Sequence, residues 1–117
     1  MKPSVRDEDP PFTPEPRLEL TPLPDASGLS LRGVLDLSTA ALAHDRLVNV
    51  WRPGATVVLD LSGLEFMDST GLNLMCRGLV TLGERGSLVL RRPQGIVRRV
   101  LAVSGVEDRP NVRLAEG

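Results

Sequence analysis

From Arg17 onward the chain switches repeatedly between two hydrophobic rhythms. Residues 17–23 (RLELTPL) and 29–36 (LSLRGVLD) alternate apolar and polar positions, the period of a strand with one buried face. Asp25-Ala26-Ser27-Gly28 is a turn signal between them, so the two strands are expected to form a hairpin. Pro22 and Pro24 put the first strand on an edge of the sheet. Residues 38–51 (STAALAHDRLVNVW) change to helical spacing, with Ser38 or Thr39 as N-cap and Pro53-Gly54 as the stop. Residues 56–61 (TVVLDL) are nearly all apolar and rich in β-branched side chains, as in a strand buried on both faces. The clearest helix spans Gly71–Arg85, where Leu72, Met75, Leu79 and Leu82 form one stripe and Gly86 closes the end. A strand at 87–93 (SLVLRRP), a helix over Gln94–Ser104 and a short strand at 111–114 (NVRL) complete the reading.

The order β-β-α-β-α-β-α-β predicts an α/β domain over residues 17–117 with a mixed, mostly parallel sheet of about four to five strands. Right-handed crossovers would carry the segment 68–71 to the carboxyl end of a central strand, where ligands and partners of such sheets dock. Residues 1–16 are different. Seven of the ten prolines fall in the first 24 residues, and acidic Asp7-Glu8-Asp9 lies among them, so this stretch reads as a flexible, partly extended tail.

Charge and composition narrow the function classes. The formal net charge is −1. It divides into −3 over residues 1–27 (three basic, six acidic) and +2 over residues 28–117 (eleven basic, nine acidic), too small an imbalance for a nucleic-acid footprint. Aromatic residues are only 3%, which leaves no stacking platform for bases. No apolar run is long enough to span a bilayer, and the amino terminus has no secretory pattern. One Cys and one His do not make a transition-metal site, and the lone Cys76 suits a reducing cytosol, so no metal or cofactor and a cytoplasmic location are expected.

The chemistry concentrates at Asp68-Ser69-Thr70-Gly71, between a hydrophobic strand and a helix. Three roles are open to its hydroxyls: helix cap, nucleophile and modification site. A catalytic serine needs a general base, and the only His, His44, lies two elements away. No G-x-S-x-G elbow and no P-loop is present. Capping and modification are compatible. The free N–H groups that a cap satisfies also stabilise a phosphate at a helix N-terminus. Asp68 beside it opposes that charge, so a phosphate is expected to disturb a docked partner more than the fold. Gly71 either allows close approach of a partner backbone or serves turn geometry. Leu74, off the Leu72 stripe and on the face with Arg77 and Thr81, is a candidate contact. Cys76 is expected to be a buried apolar group and His44 a helix-surface residue. Arg91, Arg92, Arg98 and Arg99 are expected to form a solvated basic face, and Phe66 and Met67 are open between core and rim.

The stretch VVLDLSGLEFMDSTGLNLM, with GVLDLSTA before the first helix and IVRRVLAVSGV in the third, resembles STAS domains, the family of bacterial anti-sigma factor antagonists. The resemblance runs from about Arg17 to Leu114. It implies three helices packed on one side of the sheet and a non-enzymatic, partner-switching role. In that role Ser69 is the phosphoacceptor and Asp68 its acidic neighbour, while Thr70, Gly71, Asn73, Leu74 and Asp36 contact the partner. The implied partners are an anti-sigma factor, often itself a serine kinase, and a phosphatase that resets Ser69; direct binding to nucleic acid or membrane is not implied. The second implied role is a STAS-type subunit of a larger lipid-transport or signalling assembly, docking a partner without phosphorylation. The chain departs from the family pattern at Asn73, where a small residue is common, in its proline-rich amino-terminal stretch, and in the short run after the last strand, which leaves the usual C-terminal helix missing or reduced.

Overall fold

A computed structural model describes residues 17–25 and 27–116; the expected tail over residues 1–16 lies outside them. The strands are β1 (Leu18–Pro22), β2 (Gly28–Leu35), β3 (Thr56–Met67), β4 (Ser87–Arg91) and β5 (Val112–Ala115). The helices are α1 (Ala40–Leu47), α2 (Ser69–Leu82) and α3 (Gly95–Ser104), and a 3-10 turn at Val106–Asp108 precedes β5. The sheet runs β1-β2-β3-β4-β5 in sequence order. β1 is antiparallel to β2, and the remaining pairs are parallel. This is the mixed α/β architecture that the alternating pattern predicts.

Parallel strands added one after another in a single direction, each through a right-handed crossover, bring their helices to the same face. The core agrees. Leu29, Leu31, Leu59, Leu61, Leu88 and Leu90 from the strands join Ala43, Leu47, Met75, Leu79, Val97 and Leu101 from the helices in one buried cluster. Each such leucine contributes roughly 1.5–3 kcal/mol by leaving water.

The second face of the sheet corrects the expectation that β3 is buried on both sides. Its alternate positions are Thr56, half-buried Val58, Asp60 and exposed Ser62. Thr56 is bonded to the Ser87 hydroxyl at 3.1 Å. Asp60, only 7% exposed, accepts from the Ser62 N–H at 3.0 Å and hydroxyl at 2.7 Å, from Arg92 at 3.1 Å and from Arg91 at 3.4 Å. Burial raises its pKa, but the Ser62 and Arg92 hydrogen bonds win and hold the carboxyl below its ordinary value. Arg91 and Arg92 are therefore not merely a solvated basic face, and Arg98 pairs with Glu116.

Element ends moved for local reasons. α1 stops at Leu47, short of Trp51, and a turn closed by the Val48 and Trp51 N–H groups carries the indole inward. α2 ends at Gly83 (φ 73°), not at Gly86, because only glycine takes that angle without strain. β3 extends to Met67, well past the expected end at Leu61. It pairs with β4 only over Thr56–Asp60, whereas its pairing with β2 continues to Met67 through two register shifts. β2 and β3 thus run on as a two-stranded ribbon toward the start of α2.

Candidate functional site

The ribbon ends where Asp68 turns the chain into α2. Asp68 has an extended backbone (φ −119°, ψ −163°), and its carboxylate accepts the Thr70 N–H at 2.9 Å. Its own carbonyl accepts the Leu72 N–H at 3.2 Å, the first helical bond. Asp68 is thus the N-cap, and Ser69 is the first helical residue. Ser69 is exposed, and its hydroxyl is not spent on capping. The first-turn N–H groups and the positive end of the helix dipole lie beside it. Thr70 is half-buried.

Gly71 serves neither turn geometry nor partner approach. It is buried inside the helix, and a Cβ there would come within 2.4 Å of Met67 Cγ and 2.9 Å of Leu35 Cδ2. The missing side chain lets the first turn of α2 settle against the ends of β2 and β3. Leu74 is also buried, at 7% exposure, rather than displayed beside the loop. The buried face of α2 is Gly71, Leu74, Met75, Gly78, Leu79 and Leu82, broader than the Leu72 stripe, because α1 covers one flank. Leu74, Leu47, Trp51 and Arg77 line a groove between α1 and α2. The exposed stripe of α2 is Ser69, Asn73, Arg77 and Val80. Asn73 thus lies one turn from Ser69 on the same open face.

Asp36, at the end of β2, is occupied internally. One carboxylate oxygen accepts the Ser38 N–H at 2.9 Å and hydroxyl at 2.7 Å, and the other accepts from Arg17 at 2.8 Å. The Ser38 hydroxyl, then the Arg17 guanidinium, hold its carboxyl below the ordinary value. Arg17 also donates to Ser38 Oγ. Thr39, expected as a side-chain cap, instead stitches the loop. Its hydroxyl donates to the Val34 carbonyl at 2.9 Å and accepts the Asp36 N–H at 3.0 Å. This network presents Leu37, which is 81% exposed. Phe66 is 39% exposed at the same end, while Met67 is in the core. Sequence reasoning passed over Leu37, although a leucine between Asp36 and Ser38 in a polar turn was its signal.

Other candidates fall outside this site. His44 lies on α1 beside Asp45, at 3.7 Å, and lines the α1–α2 groove. Cys76 is half-buried, with its sulfur 3.9 Å from Arg109. Among the described residues no group of three or more metal-ligating side chains occurs, and no helix is long and apolar enough to cross a membrane.

Solved structures share this architecture. The chain is similar to an anti-sigma factor antagonist from Mycobacterium paratuberculosis (24% identity, TM-score 0.67, covering 86% of this chain and 85% of that one). It is similar also to a putative anti-sigma factor antagonist from Thermotoga maritima (19%, TM-score 0.64, 86% of each chain). A third likeness is to the anti-sigma factor antagonist SpoIIAA in its unphosphorylated form (23%, TM-score 0.54, 85% and 88%). At these identities the likeness establishes the fold. No curated protein sequence matches the chain. Residues 20–115 match the STAS_2 family model, described as "Mlab, STAS domain", and the chain belongs to this STAS family.

Proposed function

We propose that this protein is an anti-sigma factor antagonist that binds an anti-sigma factor while Ser69 is unmodified. A serine kinase, the anti-sigma factor itself or a companion, transfers the γ-phosphoryl group of ATP to Ser69 Oγ. The Oγ–P bond forms, ADP leaves and the hydroxyl proton is lost. The added charge of about −1.5 to −2 then separates the two proteins. A phosphatase restores the hydroxyl. Asp68 holds the helix start, Thr70 and Asn73 flank the acceptor, and Gly71 seats the loop on the domain. The role is regulatory, not enzymatic, and its place is the cytoplasm.

The observation that carries this reading is the division of labour at the start of α2. Asp68 takes the cap, which leaves Ser69 exposed with a hydroxyl that a kinase can reach. The anti-sigma factor antagonists among the structural neighbours support the partner class. The test is incubation with the cognate anti-sigma kinase and ATP, read by mass spectrometry. Phosphate is expected on Ser69 and absent from Ser69→Ala. Full phosphorylation of Ser69→Ala, or none of the wild type, overturns the reading.

One observation favours a second reading: the matching family model is described as "Mlab, STAS domain" and not as an anti-sigma factor antagonist. There the chain is a subunit of a larger lipid-transport or signalling assembly, and the same loop docks a partner without phosphorylation. A non-kinase partner whose binding is indifferent to Ser69→Asp decides for this alternative.

A further inference from the structure

The large apolar side chains exposed on the described residues are Leu37, Leu42, Val48, Phe66, Val80, Ile96 and Val103. Scattered singly, such residues are ordinary. Leu37 differs in how it is held. It sits at the centre of the turn closed by Asp36 and Ser38, with Arg17 clamping the Asp36 carboxylate and Thr39 tying Asp36 back to Val34. A loose loop would let a leucine fold inward onto apolar surface. Here the backbone is fixed on both sides, and the side chain stays in water.

Its position is also particular. Leu35 is paired with Met67, so Leu37 lies two residues beyond one partner and Ser69 two beyond the other. Leu35 reaches the Cβ position of Gly71, so the end of β2 and the first turn of α2 touch. Phe66, opposite Val34, is exposed at the same end. Of the nearby carboxylates, Asp36 is paired with Arg17 and Asp68 accepts the Thr70 N–H. What this end offers a partner is an exposed leucine beside an internally paired Asp36 and an exposed Phe66.

We propose that Leu37 is the apolar anchor of the partner interface. It enters an apolar pocket on the anti-sigma factor, with Phe66 at the pocket's rim. Arg17, Asp36 and Thr39 are positioning residues that hold it in the bound conformation in advance. An anchor fixed beforehand loses little freedom on docking, and a few such side chains dominate an interface. The inference rests on the anti-sigma reading and deepens it. It explains why a phosphate on Ser69 is disruptive: it adds net charge where the pocket provides no counter-ion.

The test is calorimetric titration of the full chain, Ser69 unmodified, with the purified anti-sigma factor encoded in the same genome. Wild type and Leu37→Met are expected to bind alike, and Leu37→Asp at least about thirtyfold more weakly. Because Leu37 is exposed, its variants are expected to keep the wild-type melting temperature. Arg17→Ala is expected to weaken binding at unchanged melting temperature, with recovery in Arg17→Lys. Wild type that binds, with Leu37→Asp within about threefold of it, overturns the anchor while leaving the functional reading in place. Altered self-association of Leu37→Asp in sedimentation, with partner affinity intact, assigns the anchor to a second copy of this chain and also overturns it. Wild type that does not bind overturns the functional reading, and the anchor with it.

Discussion

Asp68 and Thr70 close the loop that begins α2, with the carboxylate of one accepting the backbone N–H of the other at 2.9 Å. Capping and modification are thereby assigned to adjacent residues. Asp68→Ala is expected to cost about 1 kcal/mol of folding stability. Ser69→Ala is expected to stay within about 0.5 kcal/mol of wild type. Urea unfolding of the two variants measures both. The reverse ranking would assign the cap to Ser69.

Ser69→Asp places a charge at the first position of α2. The helix dipole favours it by about 0.3–1 kcal/mol and the neighbouring Asp68 opposes it by a similar amount. The melting temperature is therefore expected to move little, whereas affinity for the anti-sigma factor falls. A melting temperature several degrees lower would show that the domain itself, and not the partner, absorbs the charge.

The Trp51 indole lies against α2 where Gly78 has no side chain. A Cβ at Gly78 would fall 2.2 Å from Trp51 Cε2 and 2.4 Å from Cζ2. Alanine gains up to about 1 kcal/mol in helix propensity. Overpacking against a rigid ring costs about 1–3 kcal/mol, so Gly78→Ala is expected to be net destabilising. Loss of stability in the Gly78→Ala single variant, relieved when combined with Trp51→Leu, is the expected double-mutant result. Additive effects would deny the contact.

Asp60 predicts a dependence on pH. Its folded carboxyl titrates below the ordinary carboxylate value of 3.8. The stability it supplies is present above that unfolded value and is lost as pH falls through the folded one. Asp60→Asn is expected to destabilise the protein at neutral pH by about 1–3 kcal/mol, because Arg91 and Arg92 lose a charged acceptor. It is also expected to flatten the acid limb of the stability profile. Thermal unfolding from neutral pH down to about pH 2 checks both, and parallel wild-type and variant profiles would remove Asp60 from the account.

The elements were readable from the sequence because hydrophobic spacing is local, and apart from β3 they moved by only a few residues. What could not be read depends on neighbours. β3 looked like a strand buried on both sides because Asp60 is one polar residue among apolar ones, and only Arg91 and Arg92, two elements downstream, reveal the polar face. Leu74 looked like a surface residue because the cover of α1 cannot be inferred from the periodicity of α2. Gly71 looked like a turn or contact residue, but its reasons are Met67 and Leu35. The Ser69 loop itself was legible, since strand, small polar cluster and helix occur in one continuous stretch. Leu37 was not, because its display depends on Arg17, twenty residues earlier.

Beyond Asp60, β2 and β3 continue together while β4 has already ended. The tip of that ribbon therefore behaves as an outrigger. A substitution in β4 or β5 changes the strength of the sheet without reshaping the tip, and a substitution at Leu37, Phe66 or Ser69 changes the tip without disturbing the leucine layers beneath. Relatives that inherit the same folding core can thus differ at the tip by a few residues and leave the leucine layers as they are.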